Sequence, residues 1–212
     1  MSQRRSRPLL LKVWGQNACF TRPEMKVERV SYDVMTPSAA RGILDAILWK
    51  PAIAWHITQI DVLKPIRWES VRRNEVGCVM SPRSNGFFVE KERQQRAGLF
   101  LRDVAYTVHA YFELVGGAGS ADNVPKFEEM FARRIEKGQC FHRPYLGCRE
   151  FAANFEPCIG KPPTPEPINK DLGWMLYDMH YGAEEPTPRF FRAFLEGGTL
   201  KVPPFDSEEV RG

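Results

Sequence analysis

Apolar positions along the chain change period several times, and each change marks an element. Residues 8–14, PLLLKVW, are apolar and read as a first strand. A loop with Cys19, Phe20, Thr21, Arg22, Pro23 and Lys26 follows, then a short strand-like piece near Val27–Tyr32. The pattern next turns helical. In TPSAARGILDAILWKP, Thr36 is placed to cap, Pro37 suits the first helical position, and Pro51 stops the run. Ala40, Ile43, Leu44, Ile47 and Leu48 recur at helical spacing, so one face of Thr36–Trp49 should lie on a sheet.

Trp55–Leu63 and Val104–Val115 are β-branched and aromatic and predict strands. Between them, residues 64–96 hold eight Lys/Arg against four acids, with Ser81, Pro82, Asn85 and Gly86 offering turn chemistry. That composition predicts a long basic hairpin or loop projecting from the sheet. After the turn residues 116–123, Lys126–Lys137 has a second amphipathic helical pattern, stopped by Gly138. LGCREFAANFEP at 146–157 predicts another strand, and the Pro-rich 161–170 a surface connection. Two more strand candidates follow at 172–182 and 189–203, the second split by a Gly197–Gly198 hairpin turn.

The order is strand, helix, strand, strand, helix, strand, then a β-rich tail. It predicts an α+β chain: a ferredoxin-like βαββαβ domain over 8–157, a basic β-hairpin inserted at about 65–100, and a β-rich C-terminal extension over 158–212. This fold serves many functions and decides none.

Charge adds a direction. The net charge of +4 hides an asymmetry: residues 1–100 hold 17 Lys/Arg and 9 Asp/Glu, residues 101–212 hold 13 and 17. A basic half favours a polyanionic partner. No stretch approaches the ~20 apolar residues that span a bilayer, so no membrane association is expected. The basic, briefly apolar start meets Asn17 and Arg22 too soon for a signal peptide, so a cytoplasmic location is expected. Five cysteines, with no CxxC pair, suggest neither a disulfide framework nor a zinc site.

Familiar catalytic signatures are missing: no phosphate-binding glycine loop, no HExxH, no nucleophile elbow. His56 and His180 read as structural strand residues, and His109 as either a satisfied strand position or a site. His142 is different. It lies in CFHRPYLG, a turn after a helix, beside Arg143 and Tyr145, where imidazole, guanidinium and phenol together suit RNA cleavage. Arg22 and Lys26, in a loop with Phe20, pair phosphate contact with base stacking. Arg72, Arg73, Arg93 and Arg96 on the hairpin offer forks for phosphate. Arg41 and Lys50, on and just after the first helix, complete the candidate RNA contacts. No metal and no cofactor are implied by these residues.

Several runs resemble one family. KVWGQNACFTRPEMKVERVSYDVMTPSAARGILDAILWKPAIAW, RRNEV at 72–76, RQQRAGLFLRDVAYTVHAYFEL at 93–114 and YLGCREF at 145–151 are similar, in that order, to the fifth Cas family of CRISPR subtype I-C (Dvulg). The resemblance covers roughly 10–155, and more weakly LGWMLYDM at 172–179. It implies a RAMP-type, RRM-like domain and a metal-independent endoribonuclease that cuts precursor CRISPR RNA within each repeat. Such a subunit stays on the 5′ handle within a Cascade complex, against the backbone and large subunits, with target DNA as a further possible partner. The alternative it implies is a non-catalytic subunit that only binds crRNA.

The family chemistry is attack by a ribose 2′-OH on the adjacent phosphate, so the protein positions the groups, stabilises charge and moves protons. The family pattern puts a tyrosine or histidine before Trp-Lys-Pro, where Leu48 stands, and Lys-His at the second helix, where Lys126-Phe127 stands. The lysine alone carries over. Lys126 is thus the expected charge stabiliser, with His142 and Tyr145 as expected substitutes for the missing proton-transfer groups.

Overall fold

The computed structural model describes residues 4–25, 27–83, 86–116, 119, 121–182 and 185–212. Within them, strands Leu9–Ala18 (β1), Ile53–Val62 (β2), Trp68–Val76 (β3), Arg93–Leu114 (β4) and Asn154–Pro157 (β5) build the first part of one sheet. Lys170–His180 (β6), Thr187–Glu196 (β7), Thr199–Lys201 (β8) and Val210–Arg211 (β9) continue it. Helices are Pro37–Ile47 (α1), the single turn Val89–Glu92 (α2) and Val124–Glu136 (α3). The fold is mixed α/β and dominated by this antiparallel sheet, in the order β5-β1-β4-β2-β8-β7-β6. β3 pairs with the first half of β4, and β9 with β7.

β1 and β2 flank β4 and are both antiparallel to it, so they run parallel to each other and α1 crosses between them. α3 makes the equivalent crossover from β4 to β5, which flank β1. α1 begins where its capping residue says: Thr36 Oγ1 accepts from the Ala39 amide, with Pro37 next. Its buried face is Pro37, Ala40, Ile43, Leu44 and Ile47. α3 is capped by Asn123 and buries Val124, Phe127, Phe131 and Ile135. Both helices meet the sheet around Trp55, whose ring lies 5.3 Å from Phe112 and 4.9 Å from Phe131. Leu44 keeps 1% of its surface exposed. Leu44→Ala should therefore cost about 3 kcal/mol in denaturant unfolding, the scale of a core truncation. A loss below about 1 kcal/mol would mean that α1 faces solvent with this side.

β4 is longer than its sequence pattern suggested, because the basic segment and the core strand are one continuous strand of 22 residues. It carries one irregularity: Asp103 has φ 52, and Arg102 and Asp103 are both exposed in succession. The left-handed backbone there breaks the alternation of exposed and buried residues, while the register with β1 runs on unshifted from Gly15–Val104 to Asn17–Arg102. Lys64 and Arg67 pair with the Asp103 carboxylate.

Of two expected strands, one does not form and the other is shortened. Val27–Tyr32, excluding nothing but its β-branched composition, makes only isolated bridges, Thr21 with Ser31 and Val30 with Leu99. Its backbone hydrogen bonds go to Phe20, Arg22 and Leu99 of β4, which pins the loop to the hairpin base. In 146–157 only Asn154–Pro157 is a strand, because Gly147, at φ 83, turns the backbone away beside Cys19.

The C-terminal strands are not a separate sheet. β8 pairs with β2 through Gln59–Lys201, Ile60–Leu200 and Asp61–Thr199. The Gly197–Gly198 turn, both residues at positive φ, delivers β8 to that edge. Asp61 fastens the seam: one oxygen accepts from Gln59 (2.8 Å) and Thr199 (2.9 Å), the other meets His109 Nε2 at 2.6 Å. Burial alone would raise this carboxyl, but bonds from His109, Gln59 and Thr199 outweigh it and hold it below the usual range. His109, ambiguous in the sequence, is thus a partnered strand residue. No helix among the described residues is long and apolar enough to cross a membrane.

Candidate active site and nucleic-acid interface

The end of α1 separates two cavities. One, of about 310 Å³, is lined by Lys50, Pro51, Ala52, Asp122, Lys126, Phe127 and Met130. Lys126 stands in the first turn of α3, where the helix N-terminus already favours anions. Its Nζ is 2.9 Å from Asp122 Oδ1, while Asp122 Oδ2 accepts from the Gly119 amide at 3.0 Å. The Lys126 ammonium, the Gly119 amide and nearby Lys50 hold the Asp122 carboxyl below its ordinary value. An ammonium has three donors, so one carboxylate leaves it able to meet a phosphate oxygen.

Leu48 and Phe127 lie inside the core. Leu48 has no exposed surface and Phe127 2%, the latter packed edge-on to Phe112 at 6.3 Å. These two positions hold apolar packing groups and no proton donor or acceptor. Arg134 donates to the Ile47 carbonyl and so closes the end of α1.

On the other side of Trp49 is a cavity of about 590 Å³, lined by Asp45, Ala46, Trp49, Phe141, His142, Arg143, Tyr145 and Arg149, with Gly42. The 141–145 turn is held there because the Phe141 and His142 amides both donate to the Ala46 carbonyl, at 2.8 and 3.2 Å. Trp49 is 61% exposed, Phe141 74% and Tyr145 39%, an unusual concentration of large rings at the surface. Tyr145 and Gly42 also line an adjoining cavity of about 280 Å³ with Phe20, Thr21 and Ser38. The result is a groove along α1 with rings and arginines on its walls, the chemistry that holds unpaired bases. His142 and Tyr145 therefore share one groove, but Lys126 opens into the other cavity, across the Trp49–Lys50 peptide. The sequence offered no signal for Trp49 and Phe141 as groove residues beyond their aromatic character.

The hairpin arginines divide by strand alternation. Arg72 and Arg93 are exposed and make no ion pair among the described residues. Arg73 sits over the Phe100 ring at 4.5 Å and bonds Glu150 at 2.5 Å. Arg96, opposite it across the ladder, bonds Glu75 at 3.1 Å and Gln94 at 2.9 Å. Arg22 lies over Tyr32 at 4.5 Å and meets Asp33 at 3.5 Å. Lys26 lies outside the described residues. Arg41 is held by two carboxylates, Asp178 (2.6 and 3.0 Å) and Asp45 (2.8 Å), which docks α1 on β6 and leaves its fork committed. Among the described residues no three His, Cys, Asp or Glu side chains gather as metal ligands would.

The family model Cas_Cas5d, described as CRISPR-associated protein (Cas_Cas5), matches residues 8–203. A curated protein of Mannheimia succiniciproducens, named CRISPR pre-crRNA endoribonuclease Cas5d, is 52% identical over 95% of this chain and 97% of its own length. A Thermus thermophilus protein with the same name is 46% identical over 95% of this chain and 94% of its own. A crystal structure of a CRISPR-associated protein superposes with a TM-score of 0.76 at 24% identity, covering all of both chains. A functionally uncharacterized protein of Streptococcus mutans superposes at 0.73 and 24% identity, over 98% of each chain. At that identity these two structures share the fold.

Proposed function

The chain belongs to the Cas_Cas5d family of CRISPR-associated proteins, and from that premise we propose that it cuts precursor CRISPR RNA within the repeat and stays on the product. The observation that carries this is the pair of curated relatives, 52% and 46% identical over nearly the whole chain, both named pre-crRNA endoribonucleases. The strand order β5-β1-β4-β2, with α1 and α3 as crossovers on one face, supports a ferredoxin-like core over 8–157 extended by 158–212. The expected partners are repeat RNA, the backbone and large subunits of a Cascade complex and target DNA, met in the cytoplasm.

In this reading the RNA supplies its own nucleophile. Lys126, with Lys50 beside it, faces the scissile phosphate and stabilises the charge that grows on its oxygens. Unpaired bases lie in the groove of Trp49, Phe141 and Tyr145. His142, at the edge of that groove, exchanges protons with the reacting oxygens, with Tyr145 beside it. Arg22, Lys26, Arg72, Arg73, Arg93 and Arg96 contact the backbone of the RNA.

Purified protein incubated with its own repeat RNA in EDTA should give a single cut, leaving a 2′,3′-cyclic phosphate. Tight binding without any cut would establish the second reading, a subunit that only holds crRNA. The burial of Leu48 and Phe127 at positions where the family pattern carries proton-transfer groups is what favours that second reading.

Binding has its own test. Arg72 and Arg93 are exposed and unpaired, so each phosphate they neutralise releases a counterion. Replacing both with alanine should reduce the slope of log affinity against log salt by about 1 to 2. An unchanged slope would assign both arginines to bulk solvent.

A further inference from the structure

The YLGCREF run contains a cysteine that the RNA reading does not use. Cys148 is half-buried, and the fully buried Cys19 is its neighbour. Their closeness comes from the backbone. The Cys19 amide donates to the Leu146 carbonyl at 3.0 Å, and a Cβ on Gly147 would stand 2.0 Å from the Cys19 carbonyl oxygen. Cys148 Sγ lies 3.6 Å from that same oxygen, 3.8 Å from Thr21 Oγ1 and 3.5 Å from Arg29 Nη1. Cys19 Sγ is 3.4 Å from Thr21 Oγ1, so the two sulfurs converge on one hydroxyl.

These contacts divide the pair. The hydrogen bond from Cys19, the Thr21 hydroxyl and the Arg29 guanidinium together overcome burial and bring the Cys148 thiol down to about 6. The same thiol–thiol bond, with burial, pushes Cys19 up. Deprotonation is thus favoured at Cys148, beside the Arg29 guanidinium, and disfavoured at the buried Cys19. That is the asymmetry of an attacking and a resolving cysteine.

We infer that Cys148 is a peroxide-reactive modification site, resolved by Cys19 into a disulfide joining the end of β1 to the 145–151 loop. The Cys148 thiolate attacks a peroxide oxygen, the O–O bond breaks, and hydroxide leaves with the bond's electron pair. Sulfur is oxidised to sulfenic acid. Cys19 then attacks that sulfur; the S–S bond forms, the S–O bond breaks, and the Cys19 proton leaves with the hydroxyl as water. Two electrons pass from the sulfurs to one peroxide. The closed bond removes the negative charge facing Arg29 and fixes the loop that carries Tyr145, Arg149 and Glu150. Nothing in this step depends on RNA cleavage.

The test uses the intact protein and hydrogen peroxide. Oxidised wild type, with remaining thiols blocked by N-ethylmaleimide, should yield on digestion a linked peptide pair containing Cys19 and Cys148. Cys19→Ser treated with peroxide and dimedone should carry the adduct on Cys148. At about pH 6, iodoacetamide should modify Cys148 roughly ten times faster than Cys78, Cys140 or Cys158, thiolate fraction outweighing lower nucleophilicity. A wild-type digest without the linked pair overturns the inference, as does a dimedone adduct spread evenly over the other cysteines. Because the wild-type digest decides, a variant that fails to fold leaves the test intact.

Discussion

Lys126→Ala should slow single-turnover cleavage of repeat RNA by ~10²-fold or more, the usual scale for losing one preorganised charge at a reacting centre. The Lys126 amide is fixed by the Asn123 cap and its Nζ by Asp122, so the ammonium is held ready at the cavity mouth. A group already in place needs no reorganisation when charge develops on the phosphate. RNA affinity should change little, because the hairpin arginines are elsewhere on the surface. Quench-flow rates with enzyme in excess, set beside filter-binding constants, separate the two effects. A rate within about threefold of wild type would remove Lys126 from the chemistry. His142→Ala supplies the contrast across the Trp49–Lys50 peptide. A matching fall in rate at unchanged affinity fits a proton carrier, whereas weaker binding at full rate makes His142 part of the base-holding groove.

Gly147→Ala should destabilise the fold by about 4 kcal/mol or more. Two effects add. The residue sits at φ 83, where a Cβ costs about 1 kcal/mol, and that Cβ would stand 2.0 Å from the Cys19 carbonyl oxygen. The obstacle is backbone inside a packed segment, so relief requires separating the 145–151 loop from the end of β1. The Cys19–Leu146 hydrogen bond and the buried Leu146 side chain go with it. That is close to three decades in the folding equilibrium. Chemical denaturation with unchanged m-value measures it directly. A shift below about 1 kcal/mol would mean that the loop stands clear of Cys19.

What the sequence reveals depends on how local the deciding contacts are. α1 was legible because its cap, its proline stop and the Ala40, Ile43, Leu44, Ile47 spacing all act within one helix. The Gly197–Gly198 hairpin was legible for the same reason. Val27–Tyr32 was not, since its backbone partners are Phe20, Arg22 and the distant Leu99, and the position of Leu99 decides that it bridges and does not ladder. Gly147 read as part of a strand because its positive φ is imposed by Cys19, 128 positions away in the chain. The site shows the same limit. The family resemblance singled out Lys126, and loop chemistry singled out His142, but no spacing states that they open into different cavities. Arg41 looked like a free cation until Asp178, on a distant strand, was seen to hold it.

Asp103 stands where β4 passes from the core sheet into the hairpin, and the register with β1 continues across it from Val104 opposite Gly15 to Leu101 opposite Ala18. Nine residues, Arg93–Leu101, pair with β3 as one arm of the hairpin, the last of them also held by Ala18 of β1, while Tyr106–Ala110 lies between β1 and β2. At about 3.3 Å per residue that arm is roughly 30 Å long. Lys64 and Arg67 clasp the Asp103 carboxylate at the root of that arm. Arg93, eight residues beyond Leu101, is thereby carried about 26 Å along the arm, so its charge stands well out from the sheet that anchors it.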